Sequence, residues 1–225
     1  MDLQEFKNKF IRDELGIIEE YGRVFSFIDF SNVNKWFEND DRNLENELLA
    51  EGERVSIYLE GLKSFADIFS ERVRMYYGED PKNVKSLSFT HATRKIFGKI
   101  DVITKDLQKI KHYFEGSEQI PVKYVVTDGD GKKYIEIRKS NFDVEISVDA
   151  ITMLEHYDTF CIFSGDADFV YLNNFLRKKR KKVIVVKGGF ILTKLRESAD
   201  LVINAQDIKK YITRIEDKRQ KQRPD

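Results

Sequence analysis

The sequence is poor in the residues that crosslink a chain or interrupt its secondary structure. It has one cysteine, three prolines and 12 glycines in 225 residues. A single cysteine excludes an intramolecular disulfide and a zinc site built on several cysteines. Because we find no internal repeat and no linker-like low-complexity stretch, we predict one domain over residues 1–225. Its core would span about 22–205, with terminal helices at 1–20 and 206–225.

Long apolar runs and an excess of one charge are also missing. No stretch approaches the ~18 apolar residues of a membrane span, and residues 1–20 lack the apolar region of a secretory signal. We therefore expect a cytoplasmic protein with no membrane contact. Lys+Arg and Asp+Glu are equal at 39 each, so the net charge indicates no particular partner. Six consecutive bases at 177–182 are the clearest local departure from that balance.

Hydrophobic residues are 41% of the chain, enough for a globular core, and their spacing alternates between strand and helix patterns. Predicted strands are Val24–Asp29, Arg72–Tyr77, Val122–Thr127, Lys133–Ile137, Thr159–Phe163 and Val183–Val186. Predicted helix faces are Val55/Leu59/Leu62/Phe65/Phe69, Ile100/Ile103/Leu107/Ile110/Phe114, Val144/Val148/Ile151/Leu154 and Phe169/Leu172/Phe175/Leu176. This alternation predicts an α/β fold: a three-layer α/β/α sandwich with a mainly parallel, Rossmann-like sheet.

Aspartates follow two of the buried strands. Asp29 ends the first strand, Asp166 and Asp168 follow the strand Thr159–Phe163, and Asp143 begins the helix before that strand. The carboxyl ends of parallel strands meet at one crevice, so we expect these four side chains to converge there. Clustered carboxylates repel unless a cation neutralises them, and oxygen ligands without His or Cys suit Mg²⁺ or Mn²⁺. Such ions support phosphodiester hydrolysis.

Other polar residues near these strand ends are assigned supporting roles. Asn32 would orient Asp29 or a water on the metal, although a turn-forming Asn fits the same position. Ser31 and Ser164 could donate hydrogen bonds to carboxylates or phosphate. Asp149 lies about 240° around the helix from Asp143, which favours a supporting or structural role.

Five motifs resemble the NYN family of PIN-like ribonuclease domains. They are FIDFSN (Phe27–Asn32), FDVEISVDA (Phe142–Ala150), DTFCIFSGDADF (Asp158–Phe169), the strand VIVV and LRESADLVIN (Leu195–Asn204). The resemblance implies a PIN-like fold, divalent-metal dependence and endonucleolytic cleavage of RNA. It places the family's acidic positions at Asp29, Asp143, Asp166 and Asp168, and its polar residue after the first strand at Asn32.

The chain departs from the family pattern at several points. Phe30 stands where a glycine is frequent, Tyr171 stands where a proline is usual, and the segment KSNFD before Asp143 is one residue longer than usual. The chain also has two insertions, around Asn83–Gly116 and near Gly129, that a minimal member of the family does not need.

Candidate contacts to RNA are basic. Lys187 follows the strand Val183–Val186 at the edge where we expect the aspartates, and Lys99 and Lys105 form an alternative rim. Arg177 and Lys178 begin the basic run, which could equally complement the C-terminal dipole of its helix. Single-stranded or structured RNA is the expected partner, and the oligomeric state, including a homodimer, is open.

Two alternatives remain. A non-catalytic RNA- or protein-binding module could use the same fold without turnover. A haloacid-dehalogenase-like phosphatase also has an aspartate after its first strand, but it needs a second acid two residues later, where this chain has Ser31.

Overall fold

The computed structural model describes residues 2–114 and 125–217. Its helices are α1 Leu3–Glu14, α2 Phe30–Val33, α3 Leu59–Asp67, α4 Val84–Phe97, α5 Asp143–Thr152, α6 Val170–Lys178, α7 Thr193–Glu197 and α8 Ala205–Ile212. Its strands are β1 Val24–Asp29, β2 Glu53–Ile57, β3 Arg72–Glu79, β4 Val102–Asp106, β5 Gln108–Tyr113, β6 Val125–Thr127, β7 Lys133–Lys139, β8 Thr159–Phe163, β9 Lys182–Lys187, β10 Leu201–Asn204 and β11 Thr213–Asp217.

The central sheet has six parallel strands in the order β10-β9-β8-β1-β3-β4. The chain builds outward from β1 through β3 to β4, and then returns to the other side of β1 with β8, β9 and β10. The order therefore reverses between β1 and β8. In open parallel sheets, ligands bind beyond the carboxyl ends of the strands at such a reversal.

Helices cover both faces of this sheet, because the central strands β1 and β8 carry large apolar side chains on each face. Val24 and Ile28 pack with Cys161 and Phe163 into one buried cluster, and the alternate side chains of these two strands pack into a second cluster. Every residue of β1 and β8 is buried. The predicted three-layer α/β/α sandwich with a mainly parallel sheet is thus confirmed, as is Cys161 as a small core residue.

One predicted helix is present but shorter than predicted, and another is wrong. Val55 does not begin a helix; it lies in β2, and the helix α3 starts at Leu59. The spacing of apolar residues at 100–114 imitates a helix, but this segment forms β4 and β5 after a short 3₁₀ turn. The helix of this region is α4, which the pattern missed because three of its four buried residues are Ser86, Thr90 and Thr93.

The helix α5 is where the pattern placed it, but with a different buried face. Ile146 and Ala150 are buried, whereas Val144, Val148 and Ile151 are exposed.

The ends of the chain differ from the two predicted terminal helices. The helix α1 ends at Glu14, and a 3₁₀ turn follows at Glu19–Tyr21. At the other end α8 stops at Ile212, and β11 then pairs with β2 in an antiparallel ladder. Residues 218–225 of the predicted helix and 122–124 of a predicted strand lie outside the described residues.

Between β4 and α5 the chain forms a separate three-stranded antiparallel sheet of order β5-β7-β6. We call its described residues, 108–113 and 125–139, the arm. It contains the predicted short strand at Lys133–Ile137, which extends to Lys139.

Among residues 2–114 and 125–217, every helix is too short or too polar to cross a membrane.

Candidate metal centre

The four predicted aspartates line one cleft of about 450 Å³ at the carboxyl ends of β1 and β8. Asp29 ends β1, Asp143 begins α5, and Asp166 and Asp168 lie in the loop and 3₁₀ turn that follow β8. The cleft therefore forms where the strand order reverses, since that is where these loops meet.

Three of these carboxylates come close together. Asp143, Asp166 and Asp168 each offer an oxygen, and the three oxygens lie within 4.8 Å of one another. Oxygens that share a magnesium, manganese or calcium ion at ~2.0–2.6 Å can lie at most about 5 Å apart. The spacing fits one hard cation, and the donor set holds only oxygen.

Local hydrogen bonds fix these side chains. The Asp168 N–H donates to Asp166 Oδ1 at 3.0 Å, so Asp166 also caps the short 3₁₀ turn. The Asp143 N–H donates to Asn141 Oδ1 at 2.8 Å at the start of α5.

Asp29 lines the same cleft and is buried. Ser31 Oγ donates to Asp29 Oδ1 at 2.7 Å, and Ser164 Oγ donates to Asp29 Oδ2 at 3.3 Å. The same Ser164 oxygen accepts the Asp166 N–H at 3.2 Å, so a single hydroxyl links the two aspartates. Both serines predicted to support the carboxylates do contact one.

Electrostatics in the cleft disfavour ionised carboxylates. Burial raises the pKa of Asp29 above its ordinary value, against the opposing effect of its serine hydrogen bonds. Burial also raises the pKa of Asp143, and the nearby charges of Asp166, Asp29 and Asp168 raise it further. A bound cation would reverse this effect, because it favours the ionised form of every carboxylate around it.

Asn32 holds the loop after β8. Its Oδ1 accepts the Gly165 N–H at 3.2 Å and the Trp36 indole N–H at 2.9 Å. Trp36 in turn stacks on Phe163, with ring centroids 6.3 Å apart. The Asn32 side chain therefore positions the chain next to Asp166, while its backbone N–H donates a hydrogen bond to the Asp29 carboxylate.

Asp149 does not belong to the cleft. It accepts a hydrogen bond from the Tyr76 hydroxyl at 2.7 Å and forms an ion pair with Arg74 at 2.7 Å. Asp149 therefore joins α5 to β3, which is a structural role of the kind that its position on the helix predicted.

The predicted basic contacts are mostly elsewhere. Lys187 is buried, and its ammonium donates to the Gly189 carbonyl. Lys105 forms an ion pair with Glu145 at 2.7 Å. Lys99 precedes β4, and Arg177 and Lys178 precede β9, so these three lie at the opposite edge of the sheet, where the strands begin.

Two lysines line the cleft that the sequence patterns did not single out. Lys35 follows α2 on one side, and Lys139 ends the arm on the other. Both are exposed. Lys139 stands four residues before Asp143, so its proximity to a candidate ligand was the available signal.

Two departures from the family pattern have structural consequences. Phe30 is buried and packs against Tyr77 and Phe89, with centroids 6.0 and 5.1 Å away. Tyr171, in the first turn of α6, is 86% exposed. Neither substitution removes a carboxylate from the cleft.

The NYN domain model matches residues 23–207, so this chain belongs to the NYN domain family. Members of this family are generally nucleases. The predicted resemblance is confirmed, and the aspartate cleft lies inside the matched region.

Similarity to individual proteins is more limited. The low amplitude and bright protein LabA of Synechococcus elongatus is 34% identical over 90 residues, which are 40% of this chain and 47% of LabA. The match therefore spans about half the length of that relative. A solved structure of a protein of unknown function, VPA0982 from Vibrio parahaemolyticus, has 17% identity and a TM-score of 0.54. It covers 87% of this chain and 98% of that chain, and at this identity it supports the fold alone.

Proposed function

We propose that this protein is a divalent-metal-dependent endoribonuclease that hydrolyses phosphodiester bonds in RNA at the aspartate cleft. The observation that carries the proposal is the convergence of Asp143, Asp166 and Asp168 to within 4.8 Å, at the strand-order reversal of a nuclease-family fold. Oxygen-only ligands favour Mg²⁺ or Mn²⁺. When bound, such an ion supplies a Lewis acid that activates water and neutralises charge on the phosphate.

Each residue of the cleft has a distinct task in this proposal. Asp143, Asp166 and Asp168 would hold the cation. Asp29 aligns Asp166 through the shared Ser164 hydroxyl, and its carboxylate is close enough to the cleft to add a fourth negative charge. Asn32 keeps Gly165 in place. Lys35 and Lys139 lie on the cleft lining, where their ammonium groups can attract the phosphates of the substrate.

RNA is the proposed substrate because family membership favours it. The cleft itself fits any phosphodiester, since carboxylates and a cation recognise the phosphate and not the sugar. The haloacid-dehalogenase-like alternative gains no support, because the residue it needs as an acid is Ser31, which donates a hydrogen bond to Asp29.

The test is incubation of purified protein with labelled single-stranded RNA, with and without Mn²⁺. We expect cleavage only with the ion, and its loss in Asp166→Asn. The matched control is Asp13→Asn, which makes the same change at an exposed aspartate of α1. Absence of cleavage by the wild type across Mg²⁺ and Mn²⁺ would refute the proposal. If RNA binding nevertheless persisted in Asp166→Asn, the non-catalytic binding module would be the correct alternative.

A further inference from the structure

We propose that the arm is a binding surface for single-stranded RNA that leads the strand into the aspartate cleft. The choice of RNA rests on the function proposed above. The inference itself rests on where the arm joins the cleft and on the exposed side chains it carries.

Both ends of the arm are attached to the cleft. Its first strand begins one residue after Leu107, and its last strand ends at Lys139, and both residues line the cleft. Only Ser140, Asn141 and Phe142 separate Lys139 from Asp143. The base packs tightly on β3: a Cβ added at Gly78 would lie 2.6 Å from Ser140 Cβ. A strand lying along the arm would therefore reach the carboxylates directly.

One face of the arm combines aromatic rings with ammonium groups. The antiparallel register pairs Tyr113 with Tyr134, so both rings point to the same side, with centroids 5.5 Å apart. Lys111 lies on that face too, with its Nζ 4.7 Å from the Tyr134 ring centroid. Tyr113 is 47% exposed, so its ring is accessible to a ligand. Tyr134 is half-buried, and the Asp128 carboxylate accepts a hydrogen bond from the Tyr113 hydroxyl. Aromatic rings beside lysines are the combination that binds single strands, since bases stack on the rings and phosphates contact the ammonium groups.

The charge of the arm is complementary to RNA and opposite to that of the cleft. Basic residues outnumber acidic ones in the arm by six to three. The basic residues are Lys109, Lys111, Lys132, Lys133, Arg138 and Lys139, and the acidic residues are Asp128, Asp130 and Glu136. Lys109 is committed to Asp80 at 3.2 Å, whereas Lys111, Lys132 and Lys133 are exposed. The four aspartates of the cleft repel phosphates. A positive surface beside them is what allows a polyanion to approach.

The experiment measures the affinity for an oligouridylate of about 16 nucleotides, the upper site size of a single-strand-binding module. Fluorescence anisotropy is recorded in EDTA, so that metal-dependent cleavage cannot remove the probe. In Tyr113→Leu/Tyr134→Leu, which keeps apolar side chains but removes both rings, we expect Kd to rise about tenfold or more. The matched control, Phe6→Leu/Phe10→Leu, removes two exposed rings from α1 and should leave Kd unchanged.

A second pair of variants keeps the tyrosines and changes only charge. Lys111→Ser should reduce the dependence of log Kd on log salt concentration by about 0.7, the slope of one lost phosphate contact. Lys7→Ser makes the same change in net charge on α1 and should not alter that slope. Melting temperatures of all four variants identify any that fail to fold.

The outcomes separate this inference from the proposed function. Wild-type Kd in both arm variants overturns the inference, even if RNA is cleaved at the cleft. Arm-dependent RNA binding without any cleavage supports the inference and overturns the nuclease. Under both proposals, cleavage of the dinucleotide UpU with Mn²⁺ is lost in Asp166→Asn but retained in the arm variants, because so short a substrate reaches only the cleft.

Discussion

The two edges of the central sheet carry similar numbers of aspartates in opposite electrostatic surroundings. Where the strands begin, each of three aspartates has a basic partner: Asp158 pairs with Arg23 at 3.1 Å, Asp101 with Arg72 at 2.7 Å and Asp200 with Arg177 at 3.5 Å. Where the strands end, Asp143, Asp166 and Asp168 face one another. No ion pair joins these three to any base in the described part of the chain, 2–114 and 125–217.

The pKa directions follow this contrast. Hydrogen bonds from Arg23 lower the pKa of Asp158, whereas burial, with the charges of neighbouring aspartates, raises the pKa of Asp143. Pairing at the first edge is structural, because it ties the loops before neighbouring strands together. Concentration of like charge at the second edge destabilises the protein unless a cation binds, and such an arrangement is typical of a functional site.

The largest expected effect is on catalysis at the acidic edge. We expect Asp168→Asn to lower Mn²⁺-dependent RNA cleavage by more than about 100-fold, since even partners of metal ligands contribute ~10–100-fold. The equivalent change at the paired edge, Asp158→Asn, should leave kcat/KM within about twofold. Steady-state cleavage of labelled RNA measures both, and equal losses in the two variants would contradict the contrast.

The next effect is thermal stabilisation by the ion. At 100 times its Kd, Mn²⁺ should stabilise the fold by about 2.7 kcal/mol, or roughly 5–10 °C in Tm for a chain of this size. The shift should shrink as the pH falls, because protons compete for Asp29 and Asp143, whose pKa values are raised. Calorimetry with and without Mn²⁺, at neutral pH and at successively lower pH values, tests this prediction. A Tm shift that does not depend on pH would indicate that Mn²⁺ binds elsewhere.

Without metal, replacing an aspartate by asparagine should change the stability of the protein in opposite directions at the two edges. The raised pKa of Asp29 means that its contribution to stability is complete at low pH and is lost as the pH rises through its folded pKa. Asp29→Asn should therefore raise Tm at neutral pH and not in acid. The lowered pKa of Asp158 has the reverse sign: its contribution is present at neutral pH and is lost as the pH falls.

Asp158→Asn should accordingly cost about 0.5–1 kcal/mol at neutral pH, a modest value because the ion pair with Arg23 is half-exposed. Urea unfolding at two pH values measures both variants. If both substitutions destabilised the protein at neutral pH, the proposed electrostatic contrast between the two edges would be wrong.

The smallest expected effect concerns the basic run at the paired edge. Lys178→Ser/Lys179→Ser should change neither RNA cleavage nor, beyond about 0.5 kcal/mol, stability. Both residues lie at the C-terminal end of α6, where bases complement the helix dipole. A large rise in KM for RNA in this variant would show that the substrate extends across both edges.

Sequence patterns predicted the central strands and placed the four aspartates at one end of the sheet, for a physical reason. The strands β1, β8 and β9 are buried on both faces and are therefore mostly apolar, and an acid at the end of such a strand can only lie at one edge of the sheet. The same reasoning found Ser31 and Ser164. Each of these predictions depends on residues adjacent in sequence to a strong strand signal.

Patterns failed where structure depends on distant partners or polar burial. The strand β2 is a strand because β11, some 160 residues away, pairs with it, and local periodicity holds no trace of that ladder. The helix α4 buries serine and threonine, so hydrophobic spacing did not report it. The position of Lys139 on the cleft depends on how the arm folds back, and its closeness in sequence to Asp143 was the available signal.

The most direct test of the proposed metal centre is anomalous diffraction from crystals of this protein soaked in Mn²⁺. We expect a manganese peak in the cleft, ~2.0–2.6 Å from carboxylate oxygens of Asp143, Asp166 and Asp168. A fully active protein whose manganese peak lies elsewhere, or whose three aspartates hold no ion at saturating Mn²⁺, would contradict this expectation.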